Sequence, residues 1–261
     1  MNIKKLYKPL TQSMSIFGNP FASKKLSQPI NLAAIGTDVH SHLIPGIDDG
    51  VATIAQSIAL IKEMCNLGFS KIITTPHIQG EQFKNTPEII LFGLEEVRKA
   101  IKAEGINVQL EAAAEYLLDD EFAEKFQANN LLCFSSKHIL VEMSYFSPHP
   151  NLFNFIFDLQ IEGYKVILAH PERYSYWFNN FKKYEELKDR GVFFQLNTIS
   201  LGGYYDIAVK KNAEKLIDAN MIDFLGSDMH NANYMRGLEN ARFEKYLDKI
   251  LSSGKIMNGT L

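Results

Sequence analysis

Short apolar runs rich in β-formers recur along the chain: IGTDVHSHL, KIITTPHI, VQLEAAAEYL, HILVEM, KVILAHP, VFFQLN and DFLGSDMH. Longer stretches with helical periodicity lie between them. In VATIAQSIALIKEMCNLGF, Ile54, Ile58, Ile61 and Cys65 recur at helical spacing, and Gly68 supplies a C-terminal stop. Thr86 before Pro87 is a good start for a helix reaching Ala103, with Gly105 beyond it. The spacing predicts further helices over Phe181–Arg190, ending at Gly191, and over Ile207–Asn220. The stretch 117–135 carries no readable pattern. Alternating β and α segments predict parallel strands with helical crossovers, an α/β fold. Seven such units in one chain favour a barrel over an open sheet.

A length of 261 residues suits one large domain. The first 37 residues carry Lys4, Lys5, Lys8, Lys24 and Lys25 and no acid, whereas the whole chain has a net charge of −3. The expected division is a basic, solvated extension over 1–35 and one domain over 36–261. That balance gives no support for a nucleic-acid partner. No apolar run approaches membrane-spanning length, and the N-terminus lacks the apolar segment of a secretory signal, so a cytoplasmic protein is expected. Cys65 and Cys133 are the only cysteines and stand in no CxxC pair, which argues against a disulfide framework or a zinc ribbon.

Where the polar residues fall changes the picture. The β runs end in His40 and His42, His77, Glu115, Glu142, His170, Asn197, and Asp228 with His230. In a parallel barrel those ends converge on one face. Residues two apart on an extended segment share a side, so His40 with His42, and Asp228 with His230, can each reach a common centre. Asp48, in the PGIDDG loop after the first strand, completes a donor set larger than one ion needs. Imidazole with carboxylate and no thiolate suits manganese, iron or zinc, and a cluster of two or three divalent ions is expected. Such clusters activate water and clamp phosphoryl oxygens.

Arg173 in HPERY and Arg236 in HNANYMRG lie near these ligands, and guanidinium groups bind phosphate in pairs of hydrogen bonds. Asp49 is a candidate proton donor, and Glu172 a candidate for orienting its neighbours. The rings of Tyr174, Tyr176 and Trp177, with Tyr204 and Tyr205, are candidate walls for an aromatic substrate. Taken singly, each of these residues has a plainer reading: a capped helix, an ion pair, or core packing. His138 and His149 fall outside the strand-end pattern and read as structural. No Gly-x-Ser-x-Gly elbow and no CxxxxxR loop is present, which disfavours covalent catalysis by serine or cysteine.

DVHSHLIPGIDDG, TTPH, AAAEYLL, VEMS, AHPERY and GSDMHN, in that order, resemble the PHP (polymerase and histidinol phosphatase) superfamily. More narrowly, they resemble the bacterial manganese-dependent tyrosine-protein phosphatases of capsule and exopolysaccharide loci, the CpsB/CapC/YwqE type. The resemblance spans about residues 36–236. It implies a distorted (β/α)7 TIM-like barrel and a three-metal site. His40, His42, Glu115 and Asp228 would serve one ion. Glu115 would bridge to a second, held also by Glu142 and His170, and Asp48, His77 and His230 would hold the third. Manganese stands first among the metals implied. Arg173 and Arg236 would bind phosphate, and the substrate implied is phosphotyrosine on the tail of a tyrosine autokinase. A small-molecule phosphoesterase acting on histidinol phosphate or a sugar phosphate is the alternative, and a catalytically silent binder of phosphorylated tails a third reading.

Overall fold

The computed structural model describes residues 25–128 and 130–261. The lysines at 4, 5, 8 and 24 lie outside that range. The described part of the expected extension is docked on the rest of the chain. Leu26 N and Ile30 N donate to the carbonyls of Phe243 and Arg242, and Leu32 is fully buried.

Nine strands, all parallel to their neighbours, form two sheets among the described residues. They are β1 (Thr37–Asp38), β2 (Lys71–Thr74), β3 (His77–Ile78), β4 (Gln109–Ala112), β5 (Glu115–Leu117), β6 (His138–Glu142), β7 (Lys165–Ala169), β8 (Phe193–Asn197) and β9 (Phe224–Gly226). One sheet has the order β1-β2-β4 and the other β3-β5-β6-β7-β8-β9. The second and third predicted runs are thus each split between the sheets. Pro76 sits at the first break and has no N–H for the ladder, though its carbonyl still accepts from Glu115 N at 3.1 Å. The first and last β segments also meet. Ser41 and Met229 form a parallel bridge, and Asp228 N donates to His40 O at 2.7 Å.

The helices are α1 (Ile54–Leu67), α2 (Pro87–Ala103), α3 (Asp120–Gln127), α4 (Leu152–Ile161), α5 (Lys182–Asp189), α6 (Thr198–Leu201), α7 (Ile207–Asp218), α8 (Ala232–Ala241) and α9 (Lys245–Ser252). Thr86 caps α2 by accepting from Ile89 N, as its position before Pro87 predicts, and Thr53 caps α1 by accepting from Gln56 N. The unreadable stretch 117–135 contains α3, started by Asp119, whose Oδ1 accepts from Phe122 N at 2.8 Å.

Along β6, and along the run that spans β4 and β5, one face changes character towards the C-terminal end. Leu140 belongs to a small buried cluster with Ala113, Ile167 and Phe224. Two residues on from Leu140 comes Glu142, and two on from Ala113 comes Glu115. Because the side-chain period of a strand is two, the face that packs the core ends by presenting carboxylates. The other faces of the strands pack against the helices through a larger cluster that includes Ile61, Leu94, Val141, Leu168 and Leu216.

Candidate metal centre

His170 and Asp228 depart from that period. Both have backbone in the left-handed region, at φ +34 and +53. Non-glycine residues there carry strain of about 1–3 kcal/mol. In return, each chain turns sharply at the end of its strand and its side chain swings onto the same centre as the others.

The donor atoms converge tightly. His40 Nε2 lies 3.0 Å from Glu115 Oε2, 3.4 Å from Asp228 Oδ1 and 3.3 Å from His42 Nε2. His170 Nε2 lies 3.0 Å from Glu115 Oε1, and His77 Nδ1 lies 3.2 and 3.1 Å from Glu115 and Glu142. Four groupings each have all their donor atoms within 4.8 Å of one another: His42, Asp49, His77 and His230; His40, His42 and Asp228; His40, Glu115 and His170; and His77, Glu115 and Glu142. His40, His42, His77 and Glu115 each belong to two groupings, and of these Glu115 has the two carboxylate oxygens that suit a bridging ligand. Every member except Asp49 is buried.

The electrostatics of this set call for positive charge. Burial opposes ionisation of Glu115 and Asp228, yet the imidazoles around them hold both carboxyls well below the usual range. Burial likewise opposes charge on His40, but Glu115 and Asp228 hold it up at about 9. Two buried Nε2 atoms facing each other among carboxylates are satisfied by protons or by cations. The residue types, the spacing and the buried charge all fit divalent ions.

A layer of hydrogen bonds behind the donors sets which nitrogen each imidazole presents. Asn197 Nδ2 donates to the Asp228 carboxylate at 2.7 Å, which turns its Oδ1 towards Gln195 Nε2 at 3.0 Å. Gln195 Oε1 therefore faces His40 Nδ1 at 2.7 Å and accepts a hydrogen bond from its N–H, leaving Nε2 free for the centre. His230 Nδ1 donates to the Asp228 carbonyl at 2.7 Å, with the same outcome. Tyr205 Oη donates to Asp228 Oδ2 at 2.9 Å, and Gln79 Nε2 donates to Glu142.

Asp48 belongs to this outer layer, not to the donor set expected of it. Its Oδ2 accepts from His42 Nδ1 at 2.8 Å and from His77 N at 3.2 Å, and its Oδ1 accepts from Gly50 N. Burial works against its charge, but His42 and the Gly50 N–H hold the carboxyl down at about 2. Asp49 is the acid that faces the centre, 3.5 Å from His77 Nε2 and 3.3 Å from His230 Nε2. The exchange follows from the loop. It folds back on His42 at Gly50, where a Cβ would meet His42 O at 2.3 Å, and this turns the first acid inward beneath the imidazole and leaves the second at the rim.

Arg173 stands over the centre and Arg236 does not. The Arg173 guanidinium lies between the rings of Tyr145 and Tyr205, 4.6 and 4.1 Å from their centroids, with Nη1 3.4 Å from Asp228 Oδ2. Arg236 is exposed, donates to Asn233 and faces a separate hollow with Tyr204 and Asn240. On α8 it is two residues past Tyr234, whose ring stacks on His230 at 4.7 Å. Positions two apart on a helix point away from each other.

The expected aromatic walls are also displaced. Tyr174 and Trp177 are buried, and Tyr174 Oη bridges Met143 N and Ala169 O. Tyr176 Oη donates to Ser144 O. The cavity at the centre, about 300 Å³, has Phe83, Tyr145, Phe146 and Tyr234 as its rings, beside the donor residues and Arg173. Glu172 does orient neighbours. It is buried, which pushes its carboxyl up to about 7, and Oε1 accepts from Asn197 N and Ser200 Oγ. His138 accepts no role at the centre and lies near Ser135 O.

The family model for capsular polysaccharide synthesis, CpsB/CapC, matches residues 36–253. The chain belongs to this family. Among its relatives, the tyrosine-protein phosphatase YwqE of Bacillus subtilis (strain 168) is 29% identical over 195 residues, 74% of this chain and 77% of the relative. The putative tyrosine-protein phosphatase CapC of Staphylococcus aureus is 27% identical over 230 residues, 84% and 90% of the two chains. A solved structure from work on YwqE of Bacillus subtilis and CpsB of Streptococcus pneumoniae, described as unique metal-dependent tyrosine phosphatases, superposes with a TM-score of 0.75 at 28% identity. It covers 82% of this chain and 86% of its own. Among the described residues, no helix is long and apolar enough to cross a membrane.

Proposed function

We propose that this CpsB/CapC chain is a metal-dependent protein-tyrosine phosphatase that hydrolyses phosphotyrosine, with the tail of a tyrosine autokinase governing capsule or exopolysaccharide output as its substrate. The observation that carries the reading is the convergence of His40, His42, His77, Glu115, Glu142, His170, Asp228, His230 and Asp49 beneath one fixed guanidinium. Relatives named as tyrosine phosphatases support it. We further infer that the two sheets are parts of one distorted seven-segment barrel, an inference supported by the parallel bridge between Ser41 and Met229.

Two or three divalent ions fit the donor groupings, manganese first, with iron or zinc as alternatives. Held there, they supply a water nucleophile at neutral pH and offset charge on the phosphoryl oxygens. Arg173 binds the same oxygens with paired N–H groups, and its two flanking rings hold the planar guanidinium in place over the centre at little entropic cost. Water adds to phosphorus as the phosphorus–phenol oxygen bond breaks, and the water's proton ends on the departing oxygen. The leaving group is a phenolate of pKa about 10, so it needs less protonation than an alkoxide. Asp49 is held below the usual carboxyl range by its hydrogen bond to His230, so it is ionised. That state suits an ion ligand better than the proton donor its sequence position first suggests.

The test is metal analysis of the purified chain together with rates on phosphotyrosyl, phosphoseryl and histidinol phosphate substrates, before and after chelation. Chelator-sensitive turnover of the phosphotyrosyl peptide, restored by Mn2+ and well ahead of the other two, is expected. A preference for histidinol phosphate, or activity indifferent to chelation, would overturn the reading.

A further inference from the structure

Phe146 is 93% exposed, the largest exposure of any large hydrophobic side chain among the described residues. Its surroundings are the reverse of loose. Ser144 O accepts from Tyr176 Oη at 3.1 Å, and Phe146 N donates to Ser144 Oγ at 3.2 Å. Tyr145 stacks on His170, 5.8 Å between centroids and 26° between planes, and covers one face of Arg173. The backbone on the N-terminal side of Phe146 is thus pinned while its ring is held out in water at the mouth of the central cavity.

A second ring is fixed at the same mouth. Phe83 lies flat on His77, 5.4 Å between centroids and 9° between planes. Its loop is closed by a two-way backbone pair, Gln79 N to Phe83 O at 3.1 Å and Phe83 N to Gln79 O at 2.9 Å. Both rings line the cavity whose floor is the donor cluster and Arg173. A phosphoryl group seated on that floor directs the group esterified to it outward, between these rings.

We propose that Phe83 and Phe146 are the specificity-determining residues of the site, a pair of rings that hold the aryl leaving group of the substrate. The proposal rests on the phosphatase reading above for the chemistry and goes beyond it in naming what selects an aromatic ester. A planar ring offers each phenylalanine an offset or edge-to-face contact, whereas an alkyl chain offers only area. Each such contact is worth roughly a 2- to 10-fold difference in affinity.

The test uses the full chain loaded with Mn2+ and two phosphonates that cannot be hydrolysed, benzylphosphonate and methylphosphonate, with binding followed by calorimetry. Wild type is expected to bind benzylphosphonate more tightly than methylphosphonate. Phe146→Ala and Phe83→Ala are each expected to shrink that preference about 2- to 10-fold, with methylphosphonate affinity and metal content unchanged. Phe146→Tyr is expected to restore it. Equal affinity of wild type for the two phosphonates, or variants that keep the full preference, would overturn the inference. So would variants that lose both ligands equally while keeping their metal. Because the readout is binding, these failures are distinct from a failure of the phosphatase reading, which shows as absent turnover of phosphotyrosine by wild type.

Discussion

Asp228 sets the tautomer of His40 without a hydrogen bond between them. The two donor atoms lie 3.4 Å apart, and the decision passes through Asn197 and Gln195 on β8. A carboxylate can only accept, so each amide in turn has a single orientation, and the last presents an oxygen to His40 Nδ1. Gln195→Leu removes that acceptor. We expect the variant to fold and to bind metal about 10- to 100-fold more weakly, as is usual for residues that orient ligands. Metal titration by calorimetry checks it, and wild-type affinity in a folded variant would show that the relay does not matter.

The neighbouring acids Asp48 and Asp49 are expected to fail differently. Asp48 holds His42 Nδ1, whereas Asp49 faces His77 and His230. Asp48→Ala should weaken affinity by about 10- to 100-fold yet leave the number of ions at saturation unchanged. Asp49→Ala should remove a ligand from one grouping and lower the number bound. Elemental analysis at saturating metal separates the two, and a reversed pattern would return Asp48 to the donor set.

The two arginines make a matched pair of variants. Charge-assisted hydrogen bonds are worth roughly 1.5–3 kcal/mol each, so Arg173→Ala is expected to lower kcat/KM about tenfold to hundredfold with metal content intact. Arg236 is exposed and turned to another hollow, and Arg236→Ala is expected to change kcat/KM less than about twofold, in line with other surface substitutions. Equal losses in the two variants would mean that the substrate reaches across to Arg236.

How much of this was readable in the chain depends on where each residue sits. Glu142 was legible as the last residue of β6, and Glu115 from its place near the end of the third β run, although the structure breaks that run and Glu115 opens β5. Gln195 and Asn197 gave the same signal, two apart on a β run, and could have been read as the partners of a ligand. Loops were another matter. Which of Asp48 and Asp49 faces inward depends on the turn at Gly50, and nothing in DDG states it. Arg236 was placed by proximity to His230 in sequence, whereas the phase of α8 turns it away. Tyr145 and Tyr205 meet Arg173 only because three separate strand ends converge, so local pattern carries no trace of that sandwich. The helix α3 was illegible because only Phe122 of its eight residues is buried.

The closeness of β9 to the first β segment makes one last site sensitive. A Cβ on Gly226 would lie 2.5 Å from Gln195 Nε2 and 2.6 Å from His40 Cβ. Both are members of the relay, and neither is a flexible end that can step aside, since Nε2 is bonded to Asn197 and His40 is buried in the donor set. Gly226→Ala should therefore do two things at once. Overpacking a tight interior costs about 1–3 kcal/mol, which for a chain of this size lowers Tm by roughly 2–4 °C per kcal/mol. Displacing His40 should also weaken metal binding, so the deficit in Tm should persist when Mn2+ is added. Gly259→Ala is the control, because a Cβ there meets nothing within 4 Å. Calorimetric melting of both variants with and without metal decides the matter, and a Gly226→Ala variant as stable and as tightly metallated as the control would mean that the packing around His40 yields more easily than its geometry implies.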